Sequence, residues 1–168
     1  MNGLDMTKLS SKYQVRRLTK EDIPIIYELC LKNQPFYEYC GKQPTMERIE
    51  SDLRIAPPGI DISDKYYIGF FEEDTLMAVM DLIDGYPDEK SAFIGFFMMN
   101  MDFQGKGIGS LIVSEVFDYL KNKGFTVVGL GIDKDNPQSN HFWKKNGFSI
   151  VKEYPQEEGV ILLAEKNL

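Results

Sequence analysis

Apolar positions in the first third of this chain recur at helical spacing, and from Lys65 onward they crowd into runs that suit strands. Tyr13 to Leu18 alternates as an edge strand does. Thr19 followed three residues later by Asp22 has the form of a capping box, and Ile23, Ile26, Tyr27 and Cys30 mark one face of a helix predicted over Lys20 to Lys32. Pro24 falls in its first turn, where the missing N–H is harmless, and Pro35 lies beyond its end. Asn33 to Pro44 has no period and predicts a loop. Its aromatic residues Phe36, Tyr37 and Tyr39 either line a pocket or pin the loop to the core. Thr45 caps a short helix marked by Met46, Ile49 and Leu53, which stops at Ala56-Pro57-Pro58-Gly59.

Tyr66 to Glu72 and Leu76 to Asp84 then read as a hairpin across Glu73-Asp74, and a turn from Tyr86 to Lys90 leads into Ala92 to Met99. That third run is apolar on both faces, as a central strand covered by helices should be. Ile108, Leu111, Ile112, Val116, Tyr119 and Leu120 form the stripe of a helix from Ile108 to Lys123, closed by Gly124. A strand at Val127 to Ile132, a helix at Pro137 to Asn146 and a strand pair at Phe148 to Tyr154 and Val160 to Glu165 follow. With no repeat or linker, the pattern predicts a single α/β domain over residues 1–168. Its mixed, mostly antiparallel sheet has six to seven strands flanked by about four helices. Met1 to Ser11 is expected to be a loosely held polar tail.

A chain of 168 residues buries enough surface to fold without staples. Two cysteines and one histidine offer neither a disulfide framework nor a zinc site, so no metal is expected. Nineteen basic residues against 26 acidic ones, a net charge of -7, argue against a nucleic-acid surface and permit a cationic partner. No apolar run is long enough to span a membrane, and the first ten residues are too polar for a signal peptide. A cytoplasmic monomer or homodimer is the expectation.

Between the Ala92–Met99 run and the helix that follows lies Gln104-Gly105-Lys106-Gly107-Ile108-Gly109-Ser110. Glycines there let several N–H groups converge at the positive end of a helix dipole, which suits a phosphate. A P-loop string is absent, and a dinucleotide G-x-G-x-x-G read from Gly105 fails at Ser110. Asp133 as the ribose acid of such a fold would need that missing glycine. The spacing that fits is Q-x-x-G-x-G. It resembles the [RQ]-x-x-G-x-[GA] loop of the GCN5-related N-acetyltransferase (GNAT) family. Asn136-Pro137-Gln138-Ser139-Asn140-His141-Phe142-Trp143-Lys144-Lys145-Asn146-Gly147-Phe148 is similar to that family's N-x-x-[AS]-x-x-[FL]-[YW]-x-K-x-G-F segment, in the right order and separation.

The resemblance implies a splayed central strand pair holding acetyl-CoA as cosubstrate. Backbone groups of Met98 and Met99 would bond its pantetheine arm, and the amides of Gln104, Gly105, Lys106, Gly107, Ile108, Gly109 and Ser110 its pyrophosphate. Asn136, Ser139, Phe142 and Trp143 would flank the pantetheine and acetyl ends, although Asn136 also fits a plain helix cap. The implied reaction moves acetyl to a primary amine of a small molecule or peptide by direct attack on the thioester. An N–H near Met98 would polarise the oxyanion. Two positions depart from the family pattern: Phe93 stands where relatives carry a glutamate base, and Trp143 stands where they carry an acidic tyrosine. Asp81, inside an apolar strand, and Asp84, at its end, are equal candidates for the base. Phe36, Tyr37, Tyr39, Asp84 and Tyr86 are candidates for acceptor contact. His141 reads as a partly exposed helix residue, and Cys40 lacks a neighbouring base. The alternative is a noncatalytic CoA-binding sensor or regulatory module of the same fold.

Overall fold

A computed structural model describes residues 3–168. One sheet of seven strands has the order β1-β2-β3-β4-β5-β7-β6. The strands are β1 (Gln14–Arg17), β2 (Lys65–Glu72), β3 (Thr75–Asp84), β4 (Ser91–Met99), β5 (Val127–Asp133), β6 (Ser149–Gln156) and β7 (Gly159–Asn167). The α-helices are α1 (Ile23–Leu31), α2 (Gln34–Cys40), α3 (Met46–Arg54), α4 (Ile108–Asn122) and α5 (Pro137–Lys145). Every neighbouring pair is antiparallel except β4 and β5, which run parallel. A parallel neighbour requires a crossover, and α4 supplies it.

Strand alternation divides the core between the two faces of the sheet. Ile68, Phe70, Met80, Leu82, Ile94 and Met99 pack with Ile112, Val116 and Leu120 of α4 and with Trp143 of α5. On the other face Tyr67, Val79 and Met98 pack with Ile23, Ile26 and Cys30 of α1 and with Ile49 of α3. β3 is therefore buried on both sides.

Two expectations are corrected. The N-terminal tail is not loose from residue 3 onward, because Leu4 and Leu9 are buried in the core beneath α4. The Leu4 N–H donates to Tyr66 Oη at 2.9 Å, the Asp5 N–H to Tyr119 Oη at 2.7 Å and the Ser11 N–H to the Glu115 carboxylate at 2.9 Å. Met1 and Asn2 lie outside the described residues. Second, the stretch expected as a loop after Asn33 contains α2, with Pro35 in its first turn and Gly41 at φ +72° ending it. Seven residues are too few to display a helical period, so the start and stop residues were the only local signs. The first predicted helix begins as a single 3-10 turn, Lys20–Asp22. Asp22 accepts the Thr19 N–H at 2.8 Å and pairs with both guanidinium nitrogens of Arg16 at 2.9 Å, fixing the start of α1.

Candidate active site

The register of β4 with β5 ends at Ile94 opposite Leu130, yet β4 continues to Met99 and β5 to Asp133, so the two strands part. The parting begins at Gly95, which is left unpaired where the β3–β4 register shifts. A Cβ there would lie 2.8 Å from Asp81 Oδ2, so only glycine fits without displacing that carboxylate. The opening frees backbone groups on the β5 side of β4. Which ones follows from alternation: the Asn100 N–H donates to the Met77 carbonyl at 2.8 Å, toward β3. Met98, two residues back, therefore also turns its N–H toward β3, while those of Phe97 and Met99 face the opening. The Met99 carbonyl agrees, accepting from Asn33 Nδ2 at 3.1 Å and Gln104 Nε2 at 3.3 Å instead of from β3. Met98 lines the groove but is one residue out of phase with the oxyanion role expected of it.

At the C-terminal end of the opening comes the glycine loop. Gly105 and Gly107 adopt φ of +76° and +77°, in the left-handed region where a side chain is strained. Gly107 leads into α4 with no side-chain cap, so the helix's first N–H groups remain available to an anion. At Gly109 a Cβ would come within 3.2 Å of Phe142 and 3.3 Å of Met99, so the missing side chain lets α4 approach α5 and β4. The resulting groove, of about 380 Å³, is lined by Met98, Met99, Gln104, Gly105, Gly107, Gly109, Ser110, Asn136, Ser139, Phe142 and Trp143, as the sequence motifs imply. Asn33, Phe36, Phe97, Gln138, His141 and Lys145 line it too. Lys106 lies instead over the Phe103 ring at 5.6 Å, and Ile108 packs toward the core. Asn136 caps α5, its Oδ1 accepting the Ser139 N–H at 3.1 Å. Phe97 stacks on Phe142 at 5.8 Å, and Trp143 wedges edge-on between Phe97 and Phe148.

On the other face of β4 lies a second cavity, of about 310 Å³. Tyr67 and Phe96 floor it, Cys30, Tyr37 and Ile49 wall it, and Lys42, Arg48 and Asp52 bring charge to it. Between Tyr67 and Phe96 in the cross-strand row stands Asp81. Its Oδ2 accepts from Lys65 Nζ at 2.6 Å in a pair almost wholly withdrawn from water, and its Oδ1 is buried with no partner among the described residues. Burial pushes the Asp81 carboxyl upward, against the opposing pull of Lys65. Partial burial raises the Asp52 carboxyl as well, against the opposing pull of Lys65 and Arg48, although the residue as a whole is exposed. The two cavities meet through one contact: Phe36 lines the groove and touches Tyr37 and Phe96 of the second cavity edge-on at 5.1 and 6.0 Å.

A family model described as the acetyltransferase (GNAT) family matches residues 26–148. This chain belongs to the GNAT acetyltransferase family. An uncharacterized N-acetyltransferase of Methanocaldococcus jannaschii is 24% identical over 156 residues, covering 87% of this chain, which spans only 65% of that relative's length. The ribosomal-protein-serine acetyltransferase of Escherichia coli is 25% identical over 148 residues, 85% of this chain and 82% of the relative. In fold the chain resembles the PaiA N-acetyltransferase of Thermoplasma acidophilum, solved in complex with coenzyme A, with a TM-score of 0.67 at 18% identity over 93% of this chain and 99% of that one.

Within this GNAT chain the structure separates the candidate acids. Asp84 pairs with Ala92 at the start of β4, and Tyr86 packs edge-on against Phe93 at 5.5 Å. Both lie about 20 Å along the strand from the glycine loop, at about 3.3 Å per residue, so neither reaches the groove. The antiparallel course of β3 puts its end beside the start of β4. Asp81 is committed to Lys65 and lines neither cavity. Of the aromatic candidates, Phe36 lines the groove and Tyr37 the second cavity, while Tyr39 is exposed and lines neither. Asn33 went unread in the sequence. Buried at the end of α1, it donates to the Leu29 and Met99 carbonyls and accepts from Gln104 Nε2 at 2.7 Å, tying the glycine loop to α1. Asn before a Gln-Pro helix start was its only local sign.

Proposed function

We propose that this GNAT chain uses acetyl-CoA to acetylate a primary amine by direct attack of the amine on the thioester. One observation carries the reading: the free N–H groups of Phe97 and Met99 and the glycine-lined start of α4 open into the same groove. Strand N–H groups suit the amides and acyl oxygen of an extended arm, and a bare helix start suits its pyrophosphate. Phe97, Phe142 and Trp143 give the acyl end an apolar wall that excludes water.

In this reading the Phe97 N–H polarises the acyl carbonyl. The amine nitrogen forms its bond to that carbon, the carbon–sulfur bond breaks, and sulfur leaves with the electron pair. The proton lost by nitrogen balances the one the thiolate takes up. A thiol of pKa about 8.5 is a good leaving group, so Trp143 in place of an acidic tyrosine does not forbid the step. An alkylamine of pKa about 10.4 is about 0.04% neutral at pH 7, so a carboxylate that accepts its proton raises the rate. Asp52, open to the second cavity, is the carboxylate suited to that work.

Thermal unfolding with acetyl-CoA, run beside NAD and ATP, tests the donor. At about 100 times its dissociation constant a ligand adds about 2.7 kcal/mol, which raises Tm by several degrees in a chain of this size. A rise with acetyl-CoA alone, followed by amine-dependent thiol release, supports transfer. A rise without thiol release on any amine leaves a CoA-binding module. A larger rise with NAD overturns the reading.

A further inference from the structure

We infer that the acceptor is a compact amine that carries its own carboxylate, an amino-acid-like zwitterion held in the cavity on the α1 and α3 side of β4. The inference rests on the acetyl-transfer reading and narrows it. Size is the first argument. At about 310 Å³ the cavity is at the lower end of small-molecule sites, which run from about 300 to 1,000 Å³, and suits a compact molecule. Position is the second. Phe36 lines the groove and its ring meets Tyr37 and Phe96 of this cavity at 5.1 and 6.0 Å, and Phe96 adjoins Phe97, whose N–H faces the acyl site.

Charge is the third argument. The chain carries a net charge of -7, yet the cavity gathers two cations, Lys42 and Arg48, against the single carboxyl of Asp52. Among the described residues neither cation has a carboxylate within 4.0 Å. A guanidinium without a partner offers a planar fork of donors that matches a carboxylate in two hydrogen bonds. Asp52, one turn along α3 from Arg48, supplies the opposite pole for an ammonium group. Tyr37 and Tyr67 add neutral phenol hydroxyls to the lining. A polyamine would bring its charges against Lys42 and Arg48 without compensation. A zwitterion answers both poles.

The test is thiol release from acetyl-CoA with each of the twenty protein amino acids and with the amine each leaves on decarboxylation. Wild type, Arg48→Gln and Arg48→Lys are compared, each checked for an unchanged melting curve. The expected result is at least one amino acid turned over with kcat/KM about ten- to a hundredfold above its decarboxylated partner, the worth of a charge-assisted hydrogen bond. Arg48→Gln then raises KM for that amino acid by a similar factor with little change in kcat, does not affect the decarboxylated amine, and is partly rescued by Arg48→Lys. Decarboxylated amines turned over equally well overturn the inference. So does an intact acetyl-CoA melting shift with neither set acetylated, which leaves donor binding standing. Loss of the acetyl-CoA shift itself fails the underlying reading instead.

Discussion

The two faces of β4 are built from different materials. On the α4 side recognition is a property of the main chain: N–H groups of Phe97 and Met99, a helix start, and glycines that keep side chains out of the way. On the α1 and α3 side it is a property of side chains drawn from five elements, with Cys30 on α1, Tyr37 on α2, Arg48 and Asp52 on α3, Tyr67 on β2 and Phe96 on β4 itself. A ligand held by backbone tolerates sequence drift as long as the glycines stay. A ligand held by side chains is redefined by single substitutions. If the groove takes the donor and the cavity the acceptor, as proposed, the two specificities can vary independently within one fold.

The sharpest way to break this comparison is to remove the buried charge under the cavity. Asp81→Asn should lose about 3 to 5 kcal/mol in denaturant unfolding because Lys65 is left charged and alone in the core. Lys65→Met with Asp81→Leu should recover most of it, and an acetyl-CoA melting shift retained in the double variant keeps the groove independent of the cavity. Next in size is Gly107→Glu, which places a carboxylate in a left-handed position at the start of α4 and should weaken acetyl-CoA at least about a hundredfold in KM. Its effect on the melting curve without ligand should be only about 1 kcal/mol. Phe36→Ala opens the groove on the side that meets the second cavity and should raise amine-independent thioester hydrolysis on the order of tenfold, read by thiol release, since part of the apolar lining is lost. The smallest effect is expected at Asp22, which anchors α1 over the cavity. Hydrogen bonds from Arg16 hold its carboxyl below the usual 3.8, so its contribution is present above that value and fades as pH falls below it. Asp22→Asn should lose about 1 kcal/mol in neutral denaturant melts and progressively less as the pH falls below 3.8, with transfer unchanged.

How far the sequence foretold each face follows from the same contrast. Gln104, Gly107 and Gly109 lie within one short string, so their spacing displayed the donor loop directly. The cavity residues are spread from Cys30 to Phe96 and meet only after the chain folds. Asp81 stood out as an acid in an apolar strand, but its partner Lys65 lies diagonally across a hairpin, and no local pattern joins them. Which N–H groups near Met98 face the opening could not be read in advance, because the phase of β4 is set by the bond between Asn100 and Met77, invisible without the register. Asp84 misled because strand direction decides which end of β3 approaches the groove. α2 was missed because its few residues carry no period.

The early parting of β4 and β5 has a mechanical side. Strands β1 to β4 and the trio β5, β7 and β6 are stitched along only four register positions, Ser91–Val127 to Ile94–Leu130, with α4 as the strap over the seam. Such a sheet behaves like a half-closed zip. An extended donor arm laid along Phe97 and Met99 would serve as the missing teeth, so each catalytic cycle would stiffen the molecule across its weakest line and product release would loosen it again.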